Sequence, residues 1–438
     1  MGDESVAGAA GERQAHPDPA AAGEAILAKV RWRLLPFLIL LFLVSYLDRV
    51  NVSFAKLTMD EALGISDAVY AFGAGIFFIG YFLFEVPSNL ILERVGARRW
   101  IARIMLTWGV ISAATAFITG AKGFVVMRFM LGVAEAGFFP GIILYLTRWF
   151  PDRERAGVVG LFMVAIPLSG LVGSPLSGLI MDLKILPGLA GWQQLLLLEG
   201  LPAVALGFVC LKVLPDGPQD AKWLEPAERQ WLAQTLEEES ANVRRIGHSS
   251  LRAAFTQPGV WLLALAYFGD VLALYGLGFW LPTVIHNYGL PLTEVGWITA
   301  LPFACGAPFM IWVTRNSDRT RERVWHLTAT CALGFIGFAG ASVATSLGLQ
   351  LVFLCMAAMG VYGVLPLFWT FPSVFLTGTA AAAGLALINS VGNLGGYFGP
   401  QIVAAITRFA GGFGPALFAL GISLTVPAIV IQIMARRR

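Results

Sequence analysis

Charged residues are scarce in this chain: Asp, Glu, Lys and Arg make up 13% of its 438 residues, against 57% that are hydrophobic. A soluble domain carries about twice that share of charge, so an ordinary water-soluble fold is excluded and an integral membrane protein is indicated. Histidine is scarcer still, with four, at positions 16, 248, 286 and 326. They form no His-Glu metal motif, and no Gly-x-Ser-x-Gly nucleophile occurs, so no enzyme and no metal cofactor are expected. The four cysteines, Cys210, Cys305, Cys331 and Cys355, sit in separate apolar runs with neither metal spacing nor a disulfide framework. Residues 1–30 are rich in Ala, Gly, Glu and Pro and lack the apolar core of a cleavable signal peptide, so they read as a disordered cytoplasmic tail.

What is present is a series of apolar runs of about 20 residues, broken by Gly, Pro, Ser and Thr rather than by charge, as lipid-embedded helices tolerate. The runs predict an all-α membrane protein with spans near 34–55, 69–92, 100–119, 123–147, 156–182 and 192–213. A second set follows near 258–285, 293–314, 325–346, 349–376, 380–405 and 413–434. A six-helix bundle over 31–214, a polar linker over 215–257 and a second bundle over 258–438 follow from this spacing. Within the linker, Glu225 and Pro226 open an amphipathic helix. Alternate loops hold Arg94, Arg98 and Arg99, then Arg148, Arg153 and Arg155, then Arg315, Arg319, Arg321 and Arg323, and the termini add Lys29, Arg31, Arg33 and Arg436 to Arg438. The opposite loops offer little beyond Lys56, Lys122, Lys184 and Arg408. The positive-inside bias therefore predicts cytoplasmic termini and linker.

Two loops at corresponding places in the halves are alike: ERVGARR at 93–99 and SDRTRER at 317–323. Such internal symmetry points to a transporter built from two related bundles. The first loop resembles the loop motif of the major facilitator superfamily, and RWFPDRERAG at 148–157 resembles that superfamily's loop between spans 4 and 5. YLDRVNVSFA at 46–55, GYFLFEVPSN at 80–89, RFMLGVAEAGFFPG at 128–141 and NSVGNLGGYFGP at 389–400 narrow the likeness. Together they resemble the anion:cation symporter family, with EVPSN closer to the tartrate, phthalate and 4-hydroxyphenylacetate branch than to the galactonate branch. The loop motif departs from the superfamily pattern by carrying Asn89 and Glu93 in place of Gly and Asp. Glu93, Arg94, Asp318 and Arg319 are implied gating residues.

Span arithmetic gives the charges at Asp48 and Arg49 a location. The apolar residues Leu34 to Leu47 number fourteen, about 21 Å of a core roughly 30 Å thick. The helix must continue, which puts Asp48 and Arg49 inside the membrane, where charge is costly and faces a cavity or a partner. The alternative is a span starting near Ile26 with the two charges at the outer surface; it would draw Lys29, Arg31 and Arg33 into lipid. On span 4, Arg128 and Glu135 lie seven residues apart on one helix face, with a structural Arg128–Glu135 pair as one reading. The resemblance implies that Asp48 and Glu135 are the proton-coupling carboxylates, that Arg49 contacts the anionic substrate, that Arg128 communicates with Glu135, and that Asn393 binds substrate.

Tyr46, Tyr81, Tyr275, Trp369 and Asn389 are further pocket candidates, Asn389 because it shares a helix face with Asn393. Glu85 and Glu199, each shortly before a proline, suit local helix contacts. Asp270, near the middle of span 7, reads as a further ionisable site or as a partner for an arginine. The small residues at 170–178 and the series Gly392, Gly395, Gly396 and Gly399 read as helix seams or hinges. The expected activity is proton-coupled import of a small organic anion across a bacterial inner membrane by alternating access, by a monomer that uses protons but no cofactor and binds no nucleic acid. A proton-independent exchanger or exporter, and a nontransporting receptor, are the alternatives.

Overall fold

A computed structural model of the chain describes residues 19–183, 185–246, 255–372 and 381–436. Residues 1–18 of the expected tail, Lys184, His248, Arg437 and Arg438 lie outside them, as do 373–376 and 380 of the expected spans 10 and 11. The described residues form helices and turns without a strand. Among the described residues, ten segments are long and apolar enough to cross a membrane. They are span 2 (Asp67–Val95), span 3 (Ala97–Phe117), span 4 (Ala121–Thr147), span 5 (Asp152–Asp182), span 6 (Gly191–Val213), span 7 (Pro258–His286), span 8 (Leu292–Thr320), span 9 (Val324–Val343), span 10 (Leu347–Phe368) and span 12 (Phe413–Arg436). Span 1 (Pro19–Val50, continued by Val52–Leu63) and span 11 (Ala381–Asn393, continued by Gly395–Ala410) complete two halves of six. The linker helix runs over Pro226–Ile246, where Pro226 fits a first turn and Glu225 N–H donates to Glu228 Oε2 at 2.8 Å.

The expected disordered tail is helical from Pro19 onward, because Ala-rich sequence favours helix and its apolar face finds a partner. Leu27 and Val30 are buried, and Lys29 Nζ lies 2.8 Å from Glu228 of the linker helix. Arg31 pairs with Glu154 at the start of span 5 at 2.6 Å. The helix thus starts before Ile26, yet its basic residues meet acids of the linker and of a loop. Span 1 also runs past the expected residue 55 to Leu63, so Lys56 is a buried helix residue rather than a loop residue. Span 10 ends at Phe368, which leaves Trp369 just beyond the helix.

The two halves meet mainly on the side away from the termini, called here the far side. Spans 5 and 8 approach so closely that a β-carbon on Gly178 would lie 2.6 Å from the Leu292 carbonyl oxygen, and one on Gly296 2.6 Å from that of Ser174. Across spans 2 and 11, a β-carbon on Gly75 would lie 2.7 Å from the Tyr397 carbonyl oxygen. Asp182 at the end of span 5 accepts from the Thr293 N–H at 2.8 Å and from its hydroxyl. Tyr70 donates to the Phe279 carbonyl at 3.0 Å. The glycine seams are therefore where small residues let backbones touch. Lys56 adds a far-side knot, pairing with Asp60 at 2.9 Å and Asp67 at 2.8 Å beneath the Trp280 ring of span 7.

Candidate functional site

Three helices lose regularity beside the sequence-predicted polar residues. Span 1 tightens at Asn51, where Phe54 N–H reaches back to the Asn51 carbonyl at 3.0 Å. Span 4 breaks after Glu135: Ala136 has ψ 131° and Gly137 φ +82°, a left-handed conformation that glycine adopts without penalty. Span 11 is interrupted between Asn393 and Gly395. Discontinuous helices at the interface of two halves are where transporters place polar groups, because freed backbone can face a cavity.

The adjacent charges of span 1 turn in opposite directions. Arg49 points into the interface of the halves: its Nη2 pairs with Glu135 Oε1 of span 4, and its Nη1 donates to the Tyr275 hydroxyl of span 7 at 2.7 Å. Its guanidinium lies over the rings of Phe77, Tyr81 and Tyr46, at 5.0, 5.5 and 5.8 Å from their centroids. Glu135 is fully buried and also accepts from Ser45 Oγ at 2.8 Å, while its second oxygen has no partner. One arginine is thus shared between a carboxylate of its own half and a phenol of the other. Asp48 faces span 3 instead, accepting from Trp108 Nε1 at 2.7 Å, Ser112 Oγ at 2.9 Å and Asn51 Nδ2 at 3.1 Å. All three donors are neutral, and among the described residues Asp48 forms no ion pair.

The Arg128–Glu135 pair anticipated from spacing does not form. Seven residues along one helix separate the groups by about 10 Å, and Glu135 has taken the arginine of span 1. Arg128 is 2% exposed, lies over Phe77 and Phe279 at 5.2 and 5.9 Å, and forms no ion pair among the described residues. Asp270 finds no arginine either; it is wholly buried, and among the described residues neither carboxyl oxygen has a hydrogen-bond partner. Glu199 reaches a neighbouring span rather than its own helix, accepting from Ser177 of span 5 at 2.9 Å.

Tyr46, Tyr81 and Tyr275 converge on Arg49, whereas Trp369 packs 5.0 Å from Tyr267 on the other half. Asn393 is half-buried near the span 11 interruption, and its side chain forms no hydrogen bond among the described residues. Asn389 takes a partner the sequence did not suggest: its Nδ2 donates to Glu85 Oε1 of span 2 at 2.7 Å, and neighbouring Ser390 donates to Glu85 Oε2 at 3.2 Å. Glu85 therefore bridges the halves rather than serving its own helix. The signal available was its position, one turn beyond Tyr81 on the same face.

In the loop between spans 2 and 3, Glu93 and Arg94 are exposed and form no ion pair among the described residues. Their neighbour Arg98 instead meets an acid of the linker, its side chain 3.5 Å from Asp216 and its backbone N–H donating to the same carboxylate at 3.0 Å. Gly96 lies against this carboxylate, so its left-handed turn aims the loop at the start of the linker. In the second loop, Asp318 sits 3.8 Å from Arg323, and Arg319 is exposed.

Residues 38–400 match the sequence profile of the Major Facilitator Superfamily. A protein of Agrobacterium vitis named as a tartrate transporter is 49% identical over 411 residues, 94% of this chain and 91% of its own. A quinolone resistance transporter of Acinetobacter baumannii is 41% identical over 410 residues, covering 93% of this chain and 94% of its own. Among solved structures, a bacterial homologue of the human lysosomal transporter Spinster, inward-facing and unoccupied, superposes with a TM-score of 0.74 at 16% identity, over 93% of this chain and 97% of its own. The chain belongs to the major facilitator superfamily of membrane transporters.

Proposed function

We propose that the chain is a proton-coupled symporter that imports a small organic anion, a carboxylate, with its termini and linker in the cytoplasm. The observation that carries this reading is the sharing of Arg49 between Glu135 and Tyr275 across the two halves. A substrate carboxylate reaching Arg49 competes with Glu135 for one guanidinium, which suits bidentate capture of an acid. Once displaced, Glu135 is a fully buried carboxylate without a cation, a state that costs several kcal/mol and that a proton relieves. Anion binding and proton uptake are thereby coupled, and Asp48, held by neutral donors alone, is a second place for a proton. The relative named for tartrate, itself a carboxylate, supports the substrate class. The far-side contacts leave the site to open toward the termini side, where the arginine-rich loops support a cytoplasmic assignment.

Purified protein in sealed proteoliposomes should take up labelled tartrate when an inward proton gradient is imposed, and Glu135→Gln should abolish the gradient dependence. Uptake of every acid tested without regard to the gradient would refute the reading. The resistance named for the Acinetobacter relative favours a second reading, export. In that case a gradient acid outside would drive substrate out of loaded vesicles.

A further inference from the structure

Four hydrogen-bonded connections made by side chains join the halves directly among the described residues: Asp182 to Thr293, Tyr70 to Phe279, Arg49 to Tyr275, and Glu85 to Asn389 and Ser390. Taken along span 2, Tyr70, Tyr81 and Glu85 order these from the far side inward, so the Glu85 contact is the one on the termini side of Arg49. Glu85 is 4% exposed, and both of its oxygens are held by neutral donors of the opposite half, at 2.7 and 3.2 Å. An amide N–H and a hydroxyl converging on one carboxylate form a cradle for a carboxylate, and here the protein's own side chain fills it.

Resting on the anion-transport reading, we propose that Glu85 occupies a second substrate subsite, and that the transported molecule carries two acidic ends. One end displaces Glu135 from Arg49, and the other displaces Glu85 from Asn389 and Ser390. The arrangement at Arg49 is the same in kind, a recognition group of the interface satisfied by a protein carboxylate. Each cradle draws a donor from one half and its present acceptor from the other or from a neighbouring span, so a molecule that fills both replaces protein contacts across the interface. The spacing fits a short diacid: Tyr81 lies under Arg49, and Glu85 is one turn further along span 2, about 6 Å in axial rise. Freeing Glu85 also releases the termini-side contact between spans 2 and 11, so occupancy by a diacid loosens that side while a monoacid leaves it latched. Glu85 is in this scheme a positioning residue, acting through Asn389 and Ser390 rather than on substrate.

The test measures transport KM in proteoliposomes for tartrate, a diacid, and lactate, a monoacid. The wild type should favour tartrate. Asn389→Ala should raise KM for tartrate about tenfold, the worth of a hydrogen bond to a charged group, and that for lactate by less than about twofold. Glu85→Gln weakens the internal occupant and should lower KM for tartrate while leaving lactate unchanged. Ser390→Ala, a smaller change, should move tartrate in the same direction as Asn389→Ala by about threefold. Equal losses for both acids in Asn389→Ala, or equal slowing of both in Glu85→Gln, would overturn the second subsite and leave the anion-transport reading standing. If neither acid binds or moves with the wild type, it is the anion-transport reading that fails.

Discussion

Adding a single β-carbon at Gly296 should tip the transport cycle toward the state open on the far side. The new atom would sit 2.6 Å from the Ser174 carbonyl oxygen and 3.2 Å from the Cα atoms of Gly178 and Pro175. These are backbone atoms of span 5, so no rotamer change relieves the contact. Restoring ordinary van der Waals distance takes roughly 1 Å of separation between spans 5 and 8, an overpacking penalty of about 1–3 kcal/mol. That penalty falls only on the conformation in which the two spans touch, so it shifts the balance of states by about 5-fold to 150-fold. A suitable reporter is Thr299→Cys, 1% exposed here and about one turn along span 8 from Gly296, in a background whose half-buried Cys305 and Cys355 are replaced. Labelling by a membrane-impermeant maleimide should rise in Gly296→Ala and stay low in Gly412→Ala, where a β-carbon meets nothing within 4 Å. A lower melting temperature with unchanged labelling would refute the reasoning, since the strain would then be absorbed within one conformation.

Tyr275→Phe removes the 2.7 Å bond that holds Arg49 to the second half; it should weaken substrate binding about tenfold in a titration of the purified protein, and an unchanged affinity would exclude Tyr275 from the site. Asp270→Leu deletes a buried carboxyl with no partner for either oxygen, so the melting temperature should rise by the equivalent of about 1–3 kcal/mol, whereas a fall would show that the carboxyl is engaged. Outside the membrane, hydrogen bonding from Lys29 holds the Glu228 carboxyl below its ordinary range. A depressed carboxylate stabilises above its unfolded range and loses that stabilisation as pH falls through its own. Lys29→Ala should therefore cost a few tenths of a kcal/mol near neutrality, as exposed pairs do, and the cost should fade as pH falls through the lowered range of Glu228, as read by thermal unfolding across pH.

The spans were legible because lipid leaves only one solution for a long apolar run, and most predicted boundaries fall within a few residues of the observed ones. The exceptions have local causes. The sequence up to residue 30 reads as a disordered tail because composition does not reveal that Leu27 and Val30 are covered, or that Lys29 meets an acid about two hundred residues away. For the candidate site, depth and residue type single out Asp48, Arg49 and Glu135, but the Arg128–Glu135 pair that spacing offers as one reading does not form. Helical periodicity ranks neighbours on one helix and is silent on which side chain of another helix arrives, which here was Arg49. Glu85 was misread for the same reason: a proline two residues on suggested a local role, and its partners are about three hundred residues away. Tyr81 and Tyr275 were recoverable as aromatics at the right depth, although nothing in the sequence says that one would lie beneath Arg49 and the other would bind it.

Competition between substrate and Glu135 for Arg49 can be read by counting protons. Detergent-purified protein in weakly buffered solution at about pH 7.5 is mixed with tartrate while the bulk pH is recorded. The wild type should take up about one proton per anion bound as Glu135 loses its arginine, and Glu135→Gln should bind tartrate without changing the pH. Binding by the wild type with no proton uptake, or equal uptake by Glu135→Gln, would contradict the coupling mechanism.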